Sequence, residues 1–204
     1  MTQTTSASFL DISLPTDGRT RRVATLGPAG TSSEQAAKFL NASINPSQDQ
    51  PEPLLLPSYE EAAEAVLRGF AELLLVANAY HAISEFYMDT RLVLAGAYHF
   101  ETPLYGIATV PHRTLDGPIR IASHPAPVPL IKQLVPGTLT VAEVVLARST
   151  SAAALAAQSG EVDAALTTQP AAEQYGLSFI SPTRPISMLW SVFRNADLAG
   201  RPAV

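Results

Sequence analysis

Residues Val23 to Gln35 read V-A-T-L-G-P-A-G-T-S-S-E-Q, and the fold is decided there. A short apolar run with β-branched members (Val23, Ala24, Thr25, Leu26) meets a Gly-Pro-Ala-Gly turn, after which Thr31, Ser32 and Ser33 open an amphipathic helix over Glu34 to Leu40. Strand, glycine turn and helix start form the opening unit of an α/β protein. The first helical turn leaves backbone N–H groups unpaired at the positive end of the aligned peptide dipoles, so small hydroxyl residues beside glycines suit an anionic ligand. Thr31 or Ser32 equally suits a plain helix cap. The stretch alone supports both readings.

Outward from this unit, strand and helix patterns alternate for most of the chain. Phe9, Leu10, Ile12 and Leu14 suit a short edge strand in an otherwise loose arm over residues 1–20. Asn41 to Pro53 carries three prolines and reads as a surface loop. Strands are expected over residues 54–56, 73–77, 91–98, 104–110, 119–122, 140–147, 163–166, 177–180 and 187–193. Ser58 with Glu61 makes a capping-box pattern for the helix after the first of these. Leu73 to Ala77 is continuously apolar, which suggests a parallel strand buried on both faces, and mostly parallel sheets are expected throughout. Crossings near Thr102-Pro103 and Pro182 to Pro185 divide the chain into one lobe of residues 21–101 plus 183–204 and a second of residues 102–182.

The 204 residues carry a formal net charge of −5 and no cysteine. An acidic chain with few basic clusters lacks the electrostatic footprint for nucleic acid. Without cysteine there is no disulfide framework or thiolate site, which fits a reducing compartment. The polar, Ser/Thr-rich start has neither a secretory core nor a membrane span, so a cytoplasmic protein without a membrane partner is expected. His81, His99 and His112 show no metal-ligand spacing, and no dinucleotide fingerprint, P-loop or nucleophile elbow is present. Neither a metal nor a cofactor is expected.

Three places repeat the chemistry of the opening stretch: Thr31-Ser32-Ser33, Ser123-His124 and Ser149-Thr150-Ser151 each follow an apolar strand at a helix start. Facing one crevice, they would cradle a small molecule with two separated carboxylates; scattered, they would be ordinary caps. Pro125 is expected to start a helix with the His124 imidazole at its mouth, where it serves as a donor or an acid. Tyr80, Phe86, Tyr87 and Tyr105 suit either a core or a cleft for a ring-shaped substrate. Trp190, between Met188 and Ser191 in the last strand, is open to the same two readings.

These pieces in this order resemble the prephenate dehydratase superfamily over residues 22–194. Its G-P-x-G-T-aromatic-Ser signature is matched at Gly27, Pro28, Gly30, Thr31 and Ser33, with Ser32 in the aromatic place; Ser123-His124-Pro125 and Ser149-Thr150 match two further motifs. The resemblance implies an α/β, two-lobed, type II periplasmic-binding-protein-like fold, with prephenate held between the lobes and no cofactor. The departures are specific. Where dehydratases carry Glu-Asn-Ser this chain has Ala79, Tyr80 and His81, and their catalytic Thr-Arg-Phe is here Ser191, Val192 and Phe193. A regulatory ACT domain is not expected. The segments Ser123 to Pro127, Phe86 to Met88, Thr102 to Gly106 and Leu189 to Phe193 instead look like those of the stand-alone prephenate decarboxylases of the bacilysin-pathway type.

That resemblance implies non-aromatising loss of carbon dioxide from prephenate, with the ring hydroxyl retained and the diene shifted, in the biosynthesis of an antibiotic or similar specialised metabolite. Aromatisation is strongly downhill, so such an enzyme must deny the hydroxyl a general acid and guide a proton to a ring carbon. Substrate-binding candidates are Thr31, Ser32, Ser33, Ser123, Thr150, Ser151, Met188 and Ser191; Tyr80, Tyr87, Tyr105 and His124 are the candidate proton sources, beside water and the substrate's own carboxyl group. A homodimer is compatible with this reading. Two alternatives stay open at the level of sequence: a divergent dehydratase in which Ser191 takes the family threonine's part, and a non-catalytic module that binds a small carboxylate.

Overall fold

The structure is a computed structural model that describes residues 9–10, 20–45 and 50–198. Its elements in chain order are β1 (Phe9–Leu10), β2 (Val23–Leu26), α1 (Ser32–Ile44), β3 (Leu54–Leu56), α2 (Tyr59–Leu67), β4 (Leu73–Ala77), α3 (Ile83–Met88) and β5 (Leu92–Glu101). They continue with β6 (Tyr105–Thr109), β7 (Pro118–Ser123), α4 (Ile131–Leu134), β8 (Thr140–Leu146), α5 (Thr150–Gln158), β9 (Ala164–Thr168), α6 (Gln169–Gln174), β10 (Ser178–Phe179) and β11 (Ser187–Asn195). Helix α1 runs beyond Leu40 to Ile44, into the stretch read as a loop. Phe9–Leu10 does form an edge strand, paired with Tyr98 and Ala97; Ile12 and Leu14 lie outside the described residues.

Two compact units result. The first takes the chain up to Gly27, Ser33–Glu101 and the segment from Ser187 on; the second takes Pro28–Ser32 and Thr102–Ile186. The first unit's sheet has the order β1-β5-β11-β4-β2-β3, and the second's is β10-β6-β9-β7-β8. Both sheets are mixed, contrary to the expectation of mostly parallel ones. Strand β4 is parallel to β2 but antiparallel to β11, and β11 also runs against β5 for its whole length. An apolar run signals burial on both faces, which β4 has; it carries no information about the direction of its neighbours.

The first core gathers Leu73, Leu74, Leu75, Tyr98, Trp190 and Phe193, all at most 1% exposed. Each such side chain contributes roughly 1.5–3 kcal/mol by leaving water. The second unit packs alanines of α5 and α6 on one sheet face, and Ile107, Ile119, Ile121, Ile131, Leu134 and Leu166 in another cluster. Caps are explicit in the sequence. Ser58 accepts from the Glu61 N–H at α2, and Ser149 accepts from the Ala152 N–H at α5.

Candidate active site

Within the second unit, the turn from Pro28 to Ser32 is held by three hydroxyls. Ser151 Oγ donates to the Ala29 carbonyl at 2.6 Å, Thr168 Oγ1 donates to the Gly30 carbonyl at 2.7 Å, and Ser32 Oγ lies 2.9 Å from Tyr105 Oη. Gly30 sits at φ +85°, where a Cβ would lie 3.1 Å from Ser151 Oγ and 3.2 Å from Ala171 Cα. Only glycine fits that turn without strain. Thr31 is buried beside it. Burial pushes the Tyr105 phenol up to about 12, against a smaller downward effect of its bond to Ser32, so it stays protonated at neutral pH.

Helix α5 opens beside this turn's anchor, Ser151. Ser149 caps the helix, Thr167 Oγ1 donates to the Thr150 carbonyl at 2.8 Å, and Thr150 is only 6% exposed. Its Oγ1 is buried without a hydrogen-bond partner. Buried hydroxyls are normally satisfied, so an orphan at the positive end of a helix is suited to meet a ligand oxygen.

The expected helix start at Ser123-His124 is absent. Ser123 ends β7, fully buried, and donates to the His124 carbonyl at 2.8 Å; residues 125–127 then form a turn, and a 3₁₀ helix begins only at Val128. Pro125 and Pro127 give the reason, because each disfavours the helical region for the residue before it, whereas Pro129 sits within the first turn of the 3₁₀ helix, where proline is tolerated. His124 Nδ1 accepts from the Ala126 N–H at 3.3 Å, a local turn contact.

In the first unit, the segment after β4 folds back through α3. Tyr80 Oη donates to Glu60 Oε1 at 2.6 Å, and its ring packs on Tyr59, His81 and buried Phe86. Burial, and then the Glu60 carboxylate, raise the Tyr80 phenol well above its ordinary value. Burial works against the Glu60 charge, but the bonds from Tyr80, the backbone and Ser58 outweigh it and lower that carboxyl. Ser33 Oγ lies 2.8 Å from Tyr59 Oη, to which the Ala77 N–H also donates at 3.4 Å.

The last strand supplies the other contact. Ser191 is fully buried opposite Val76 and Ala97; its Oγ donates to Asn78 Oδ1 at 2.7 Å and lies 2.6 Å from Tyr87 Oη. The Tyr87 ring stands edge-on to Phe193 at 5.0 Å. Met188 is half-buried against the same core, and Trp190 is fully buried with Nε1 donating to the Phe100 carbonyl.

Tyr80, Phe86 and Tyr87 therefore form one aromatic group, whereas Tyr105 is bonded within the second unit. Asn78, Tyr59 and Thr168 escaped sequence reasoning. A polar residue directly after a buried strand was the available signal for Asn78, and a strand-ending hydroxyl for Thr168. Among the described residues no group of three His, Asp or Glu could hold a metal, and no helix is long and apolar enough to cross a membrane.

Comparison with known proteins follows the same lines. The prephenate dehydratase family model matches residues 23–183. A protein of Planktothrix agardhii named prephenate decarboxylase is 36% identical over 91% of this chain and 93% of its own length. One of the same name from Bacillus subtilis is 36% identical over 93% of this chain and 97% of its own. Among solved structures, a prephenate dehydratase of Arthrobacter aurescens in complex with L-Phe aligns with TM-score 0.64 and 18% identity, covering 90% of this chain and 61% of that one. The periplasmic VFT2 domain of Bordetella pertussis BvgS aligns with TM-score 0.52 and 18% identity, covering 87% and 81%. The fold is thus the type II periplasmic-binding-protein-like one, and the chain belongs to the prephenate dehydratase family.

Proposed function

We propose that the protein is a carboxy-lyase that decarboxylates prephenate without aromatising it, keeping the ring hydroxyl. The observation that carries this reading is the likeness of nearly the whole chain to proteins named prephenate decarboxylase. The chemistry of the site supports it. At α5 the orphan Thr150 hydroxyl and the positive end of the helix suit one substrate carboxylate, and Thr31, Ser32, Ser33, Ser123, Ser151 and Met188 complete the proposed surroundings. Carbon dioxide leaves with its bonding electrons passed into the diene, and a ring carbon takes one proton. Tyr80 is already committed to Glu60, so Tyr105, held in its protonated form, and His124 are the protein groups proposed for that transfer. Its product is proposed to feed a specialised-metabolite pathway in the cytoplasm.

The test is an incubation of purified protein with prephenate at mildly alkaline pH, following carbon dioxide, phenylpyruvate and a non-aromatic diene. Diene and carbon dioxide in equal amounts are expected. Stoichiometric phenylpyruvate would make the protein a dehydratase, and binding without turnover would make it a carboxylate-binding module.

A further inference from the structure

We propose that Asn78 is a positioning residue that denies the substrate's hydroxyl an acid by consuming the last free proton of the Tyr87–Ser191 pair. This rests on the decarboxylase reading and explains how that reaction is chosen over dehydration. Both reactions consume one proton. In one it goes to a ring carbon, and the hydroxyl stays; in the other it goes to the hydroxyl, which leaves as water. Selectivity is therefore a question of where the site has a proton to give.

The hydrogen bonds allow the protons to be counted. Tyr87 Oη and Ser191 Oγ carry one hydrogen each. Asn78 Oδ1 only accepts, so Ser191 Oγ gives its hydrogen there at 2.7 Å. Ser191 must then accept across the 2.6 Å contact, which makes Tyr87 the donor. Two protons fill two internal bonds, and none points outward. Ser191 is fully buried, whereas Tyr87 is 41% exposed, so the pair's outward face is a phenol oxygen that can only accept. A substrate hydroxyl meeting it would donate rather than be protonated.

The surroundings fix this arrangement. The Asn78 N–H donates to the Leu189 carbonyl at 3.1 Å, pinning the residue to β11, and Phe193 braces the Tyr87 ring. Asn78 directly follows β4, whose last residue, Ala77, pairs with Trp190. Removing the amide acceptor leaves two protons for one internal bond. One hydroxyl hydrogen is then released toward the outside, through Tyr87 if Ser191 reverses its direction.

The experiment compares the full-length protein with Asn78→Leu and with Asn78→Leu/Tyr87→Phe, reading the ratio of phenylpyruvate to non-aromatic diene. Asn78→Leu is expected to raise that ratio about tenfold or more, within the range a positioned acid supplies. The double variant is expected to return it toward the wild-type value, because the outward phenol is gone and the remaining Ser191 hydroxyl is fully buried. An unchanged ratio in a turning-over Asn78→Leu protein would overturn the proposal, and so would a raised ratio that persists in the double variant. Neutron diffraction on deuterated wild-type protein tests it even if the leucine variant does not fold: deuterium on the Ser191 Oγ to Asn78 Oδ1 line is expected, and an Asn78 ND₂ group facing Ser191 would refute it. A wild-type protein that makes phenylpyruvate as its main product fails the function reading instead, before any variant is compared.

Discussion

At the scale of single residues, hydroxyl groups are the currency of this chain, and most are committed. Ser32, Ser33, Ser123, Ser151 and Ser191 all hold partners within their own unit; Thr150 alone among the candidate residues has a buried hydroxyl without one. Residue identity announced these positions, since small hydroxyls after apolar strands stand out. Their commitments depend on contacts as far apart as Ser191 and Asn78, which no local pattern encodes. Tyr105 makes the burial of such a group measurable. Its pKa rises from the ordinary phenol value of 10.0 to about 12 in the fold, so the folded form prefers the neutral phenol. That preference stabilises the protein fully below pH 10 and is lost as pH climbs through the folded value, because the unfolded chain releases its proton first. A rise of that size corresponds to roughly 2–3 kcal/mol. Urea midpoints taken from about pH 9 to about pH 12 are expected to fall, and to fall less steeply in Tyr105→Phe; parallel curves for the two proteins would show that this phenol does not carry the effect.

At the scale of elements, the Gly30 turn explains why β2 and α1 were readable while their setting was not. Strand, turn and helix follow from local composition, and both elements form where the sequence puts them, α1 longer than expected. What locks the turn is distant in sequence: Ser151 and Thr168, each more than a hundred residues away, bond its carbonyls. The start missed at Ser123-His124 has the opposite origin. Pro125 and Pro127 were visible, but their combined effect on the residues before them delays the helix beyond the reach of a motif match. The turn yields a comparison of two glycines. Gly30→Ala must hold an alanine at φ +85° against Ser151 and Ala171, whereas Gly69→Ala meets the same kind of backbone at φ +79° with nothing within 4 Å. The shared backbone strain costs about 1–2 kcal/mol. Denaturant unfolding is expected to show both variants destabilised and Gly30→Ala the more so; equal losses would mean that the hydroxyl anchors yield freely.

At the scale of the whole molecule, two mixed sheets are assembled from pieces that are not contiguous in sequence, and β11 returns from the end of the chain to run against both β4 and β5. Alternating strand and helix patterns identified the α/β class; strand direction was hidden because burial leaves the same apolar signature in parallel and antiparallel strands. That return also brings Ser191 to Asn78, so the topology that sequence could not supply is what builds the proposed selectivity device. Ligand linkage gives the whole-chain test of the anion site. A saturated-ring analogue of prephenate keeps both carboxylates but cannot lose carbon dioxide into a diene, so it binds without turnover. At about a hundred times its Kd, binding to the folded state alone adds about 2.7 kcal/mol. For a chain of this length that is about 5–10 °C in Tm, followed by far-UV circular dichroism. Thr150→Val removes the orphan hydroxyl at nearly constant volume, so the unliganded Tm is expected to hold or rise, because an unsatisfied buried group is lost rather than a bond. The ligand-induced rise at the same analogue concentration is expected to shrink. A variant that keeps the full rise would leave Thr150 a buried helix residue with no part in binding, and one that loses unliganded stability would mean that its hydroxyl has a partner within the protein.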